Sequence, residues 1–344
     1  MVSGGKPLHG PAVRATRSAL LAMLTLFALS SCVDLAAVQA EAERGPLQGT
    51  RALGAVSLHP VQQIDAARLA PRVDETGLPL PGPGNAPLQR LLRPSAVALR
   101  GADVYVVDSG LARVLHILSG NQMMHALQGA PAQVGVRVRT GSDRSAYVLD
   151  PLQRRVLRFA PNGRLVQTLA APSEILGRPG ALTIDERRGV VVIVDVSFNQ
   201  LVVMPLLGGS AYPLLTKSRE ALPSLVGVAA GADGYYTIDA ICHCVTLFAS
   251  NGVVLATFGN DTLIAPLAIG VDQDERVYVA DRADNSIKVY SAGRQVGVAT
   301  GAKLGVTEIT DIDVDQGMLA VADGIGARVV LARIAVAPRA AEAR

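Results

Sequence analysis

Apolar residues in this chain fall into short β-branched runs broken by Asp and Gly, and from residue 92 onward the runs repeat. The tract Val277-Tyr278-Val279-Ala280-Asp281 has counterparts ending at Asp108, Asp150, Asp195, Asp239 and Asp323, so six copies end on Asp with separations of 42, 45, 44, 42 and 42 residues. Six residues after each Asp comes Val114, Val156, Leu201, Val245, Ile287 or Val329. Nine after comes Ile117, Phe159, Met204, Phe248, Tyr290 or Ala332, which marks the apolar face of a second strand. Another apolar run precedes each Asp tract, as in Ala181 to Ile184, and a fourth often follows, as in Val253 to Phe258. Four short strands in a period near 42 residues predict one blade of a β-propeller, and six periods predict an all-β, six-bladed β-propeller.

The tracts resemble NHL repeats, in which an apolar run and an Asp-x-x-Gly-like turn lead to Tyr-Val-x-Asp, a polar turn and an apolar strand. Asp272 to Tyr290, with Tyr278-Val279-Ala280-Asp281 and Asn285, matches that pattern most fully. The resemblance covers about Leu92 to Ile334 and implies the fold without an activity, because such propellers serve as binding platforms and as enzymes.

Before the repeats, Met1 to Ser31 carries Lys6, Arg14 and Arg17, no acidic residue, and an apolar stretch from Ala19 to Leu29. At 11 residues that stretch is too short to span a bilayer and suits an export signal. Leu29-Ser30-Ser31-Cys32 resembles the lipobox of bacterial lipoproteins, which implies cleavage before Cys32 and lipidation (palmitate among the acyl chains) on that cysteine. Several acyl chains on one residue give stable anchoring. The expected location is therefore the cell envelope, on the periplasmic side of a membrane. Val33 rather than Asp after Cys32 favours the outer over the inner membrane.

The organisation expected is a lipoprotein signal peptide at 1–31, a lipid-anchored flexible linker at 32–91, the propeller at 92–336 and a C-terminal tail at 337–344. The last repeat runs out of strand-forming sequence after Ile334, so a run at about 52–58 in the linker is expected to supply the missing outer strand and close the ring.

Charge narrows the function classes. The net +3 belongs entirely to the export segment, and the remainder has 29 basic and 29 acidic residues. Near-neutrality removes the electrostatic argument for nucleic-acid binding.

Candidate chemistry is sparse. The repeat aspartates stand where strands meet tight turns, where a carboxylate accepts backbone N–H groups. Asp311 and Asp313 occupy innermost-strand positions that are small or apolar in other repeats, and i, i+2 spacing puts both on one face. They are the candidates for a calcium site, although two ligands are few. Asp315 aligns with Asp272 and Asp185 and reads as a turn residue. In Cys242-His243-Cys244, two thiols one residue apart in an oxidising compartment can form a disulfide; unpaired cysteines or a metal site are the alternatives. The second repeat is rich in arginine, with Arg137, Arg139, Arg154, Arg155 and Arg158 a candidate interaction patch for carboxylates, phosphates or acidic glycans.

No catalytic residue or cofactor is identified. The functional expectation is a binding or scaffold propeller, held to the membrane and presenting a surface to a protein or polysaccharide of the envelope. The alternative is a metal-dependent envelope hydrolase or lyase of the lactonase-like six-bladed kind.

Overall fold

A computed structural model describes residues 54–69, 88–120, 123–214 and 224–337. The export segment, Cys32 and most of the linker lie outside them.

Strand-forming sequence organises into six sheets, antiparallel within each blade's own four strands, arranged as a ring of blades, each with its first strand against the axis. The first blade contains Pro94–Arg100, Asp103–Asp108, Arg113–Leu118 and Met123–Ala126. The second contains Arg137–Thr140, Ala146–Asp150, Arg155–Phe159 and Leu165–Ala170, and the sixth Ile309–Asp315, Met318–Asp323 and Arg328–Val336. The six-bladed propeller expected from the repeat is what the chain forms. The turns between second and third strands, with the loops leading from one blade to the next, make up one face of the disc, the upper face below.

Period-2 alternation gives each blade two apolar faces, and neighbouring blades bury these against each other. Val107, Val114, Val138 and Phe159 meet between the first and second blades, for example, and Leu149, Val156, Leu182 and Ile193 between the second and third. The core is thus six inter-blade layers, and each layer needs both of its blades.

The sixth blade takes its outermost strand from before the repeats. Val56–Ile64 pairs antiparallel with Arg328–Val336, from Val56 opposite Val336 to Ile64 opposite Val329. A bulge between Pro60 and Gln62 switches the face its side chains present. Val56 and Leu58 consequently enter the layer between blades five and six, while Ile64 enters the layer between six and one. Two further strands, Ala66–Leu69 and Leu88–Arg90, extend the first blade outward, the former parallel to Met123–Ala126. Both strands lie within the 32–91 stretch whose sequence reads as linker.

The six repeat aspartates are scaffold. Asp108 accepts the backbone N–H groups of Leu92, Arg93, Gly110 and Leu111, which ties the turn it begins to the loop that leads into its blade. Asp195 does the same with Gly177, Arg178, Ser197 and Phe198. Four residues after each Asp the chain turns through positive φ, at Ala112, Arg154, Asn199, His243, Asn285 and Ala327. Asn is suited to that conformation, so the Asn positions of the repeat mark its backbone geometry.

Candidate functional site

An innermost propeller strand has one edge bonded to its blade and one edge facing the axis, and the axial N–H and C=O groups need partners. On the first blade, side chains from both neighbours supply them. Asp311 accepts the N–H of Val97 at 3.1 Å, Asp313 that of Leu99 at 2.8 Å, and Asp315 that of Gly101 at 2.7 Å. Three carboxylates spaced two residues apart on one strand thus match three donors spaced two apart along another strand and the turn after it. From the opposite side, Arg137 donates to the carbonyl of Ser95, Arg139 to that of Val97 and Thr140 to that of Leu99, each at 3.1 Å.

The two sets meet. Arg139 donates to both carboxylate oxygens of Asp311, at 3.0 and 3.3 Å, linking the second blade to the sixth across the first. Arg100 of the first blade pairs with Asp315 at 3.0 Å. Asp315 is therefore part of this seam, not the turn residue that its alignment suggested.

The groups around this seam are held in low-dielectric surroundings. Burial pushes the Asp313 carboxyl up to about 6, against the pull of Arg139 and the Leu99 N–H. The exposed part of Asp313 faces an open axial cavity of about 140 Å³, which Arg139, Thr140, Thr183 and Ala230 also line. A second cavity of about 10 Å³, room for about one water, lies beside Arg137, Arg139 and Asp311. The rest of the axial wall is apolar, with Val226, Val228, Leu267 and Ile269 from blades four and five. Among the described residues, no three His, Cys, Asp or Glu side chains cluster as a metal site. The guanidinium on Asp311 already supplies the positive charge that a cation would bring.

The five arginines of the candidate patch do not share one surface. Arg137 and Arg139 point to the axis because they sit on the innermost strand. Arg155 pairs with Asp150 at 3.2 Å on the upper side, while Arg158 pairs with Asp143 at 2.6 Å and covers the Tyr147 ring. Arg154 stands in the upper turn at φ 51°. Cys242 and Cys244 are disulfide-bonded around His243, with Cα atoms 5.2 Å apart.

One cluster escaped sequence reading. His116 bonds Asp103 at 2.6 Å, stacks on Tyr105 with ring centroids 4.3 Å apart, and meets His125 edge-on. Burial, then His116 beside it, pushes His125 down to about 4. The spacing of His116 and His125 signals nothing alone; their strands pair them directly across a hairpin.

No protein family is matched by the chain, and no curated protein resembles it in sequence. The fold recurs among solved structures. A Bacteroides thetaiotaomicron protein of unknown function aligns with TM-score 0.57 and 14% identity over 80% of this chain and 77% of its own. A streptogramin B lyase aligns with TM-score 0.54 and 11% identity over 82% of this chain and 97% of its own. A catalytically inactive His-to-Ala variant of Staphylococcus aureus virginiamycin B lyase, with quinupristin, aligns with TM-score 0.54 and 12% identity over 81% and 98%. Identities this low carry the fold alone.

Proposed function

We propose that the chain is a lipid-anchored binding platform of the bacterial cell envelope, joined to the membrane through Cys32 on the periplasmic side. Its rigid propeller presents a surface to a protein or polysaccharide partner. The observation that carries this reading is the use of the axial charges. Asp311, Asp313, Arg137 and Arg139 are committed to strand edges and to one another, so function is left to the exposed loops. The near-neutral remainder after Ser31 argues against nucleic acid as the partner.

The test of the anchor is mass spectrometry of the mature chain. An N-terminal, acylated Cys32 supports it, with Cys32→Ser leaving the chain out of the membrane fraction; an unmodified Cys32 or a cut elsewhere contradicts it.

A second reading, an axial-metal hydrolase or lyase, draws on the lyases among the structural neighbours and on the Asp313 carboxyl that borders the cavity. Against it, none of His59, His116, His125 and His243 lines an axial cavity, while the Staphylococcus enzyme is inactive without one histidine. Calcium or zinc bound stoichiometrically by the purified full chain would revive it.

A further inference from the structure

The upper face over blades one and two has its own chemistry. Its segments, residues 91–93, 109–113, 127–136 and 151–155, contain Arg93, Arg113, Arg154 and Arg155 and no Asp or Glu. The two aspartates beside them, Asp108 and Asp150, are buried in the turn bonds already described. Large apolar side chains stand out of the same segments: Val134 is 88% exposed, Leu152 70% and Leu92 55%.

The segments are contiguous. A Cβ added to Gly110 would meet the Leu92 Cβ at 2.7 Å, and one on Gly135 would touch the Pro151 ring at 3.4 Å. The loop that carries Val134 is fixed at one end to Val114 of the first blade, through the Leu127 N–H at 2.9 Å. Near its other end, Gln133 donates to Asp150 of the second blade at 3.2 Å. The patch is thus a firm surface.

Single exposed apolar residues are ordinary. Several beside arginines, on segments with no acidic residue of their own and with Glu174 of the next loop near Arg154, share the arginine and apolar character of protein interfaces. Arginine forks select carboxylates. No aromatic side chain is present to stack on a sugar ring, which favours a protein over a polysaccharide. Val56, at the start of the strand that completes the sixth blade, pairs with Val336 at the lower end of that strand, on the face opposite the patch.

We propose that this sector of the upper face docks a protein segment that carries both acidic and aliphatic side chains. The inference rests on the platform reading and names the surface used and the partner's chemistry.

The test uses the full chain purified from membranes and a displayed library of random 12-residue peptides as probe. Enriched peptides should combine Asp or Glu with Leu, Ile or Phe. Val134→Glu with Leu152→Glu should weaken them at least ten-fold at an unchanged melting temperature, and Arg93→Gln with Arg154→Gln should remove their salt sensitivity. Asp274→Ala on the lower face should change nothing. Enrichment without acidic residues, or binding indifferent to the Glu variants, overturns the proposal. So does binding of phosphatidylglycerol vesicles in place of peptides, or self-association lost in the Glu variants. Photo-crosslinking in cells separates the two readings: adducts from lower-face positions but not from Val134 overturn this docking site alone, whereas no adduct from any position overturns the platform as well.

Discussion

Arg139 of the second blade holds Asp311 of the sixth through both carboxylate oxygens, across the inner strand of the first blade. The ring joins where the sixth blade meets the first, so the pair bridges the junction. Removing one partner strands a buried charge, which costs about 3–5 kcal/mol, whereas replacing both by apolar groups is often tolerated. Arg139→Met and Asp311→Leu should each destabilise the chain by about that amount, and the double variant should recover much of the loss. Denaturant unfolding of all four chains measures the coupling; additive losses would show that the pair does not act as a unit.

Asp313 gives the junction a pH dependence of definite sign. The folded chain holds its proton to about pH 6, while the ordinary carboxyl value is 3.8, so the folded state binds more protons between the two. The contribution is full below about 3.8 and is lost as pH rises through about 6. Asp281 and Asp323 act the other way. Burial raises both, but Lys288 with backbone N–H groups holds Asp281 below the usual range, and the Thr307, Glu308 and Gly326 N–H groups with Arg328 hold Asp323 below it, so their contribution is lost as pH falls. Asp313→Asn keeps an acceptor for the Leu99 N–H. Its stability relative to the natural chain should rise between pH 4 and 7, and parallel stability curves would exclude the assignment.

The repeat aspartates differ in what they leave behind. Asp281 accepts the N–H groups of Ile264, Ala265 and Ala283 and the ammonium of Lys288, itself only 6% exposed. Without Asp281, Lys288 keeps only Asp284 at 3.0 Å and the Thr262 carbonyl at 2.7 Å, so Asp281→Ala weakens a buried ion pair where Asp108→Ala weakens none; it should cost more, and Lys288→Met should restore part of the difference. Thermal melts of the three variants decide this.

Val56–Ile64 buries Val56, Leu58 and Ile64 in two different layers. Burial of three such side chains is worth roughly 5–8 kcal/mol, and at about 2–4 °C per kcal/mol deletion of residues 56–64 should lower the melting temperature by more than about 10 °C. An unchanged melt would mean that the ring does not need the strand.

Much of the fold was legible because each blade begins the same turn with an Asp, and the chain passes through positive φ at the same position four residues later. The outer strand of the sixth blade was legible as an absence at the end of the last repeat. Ala66–Leu69 and Leu88–Arg90 were not, because they are short and flank a Pro- and Gly-rich stretch. The departure of Asp311 and Asp313 from small inner-strand residues was visible. Their partners were not, since Arg139 lies 172 residues away and its alternation pattern does not distinguish an axial face from an outer one.

The central claim is that the axial charges join the ring and are not a reaction centre. The most direct measurement is the melting temperature of the purified full chain with calcium and with a chelator, for the natural sequence and for Arg139→Met with Asp311→Leu. The account predicts no shift with calcium in either and a folded double variant. A rise of several degrees with calcium in the natural chain, abolished in the double variant, would contradict it.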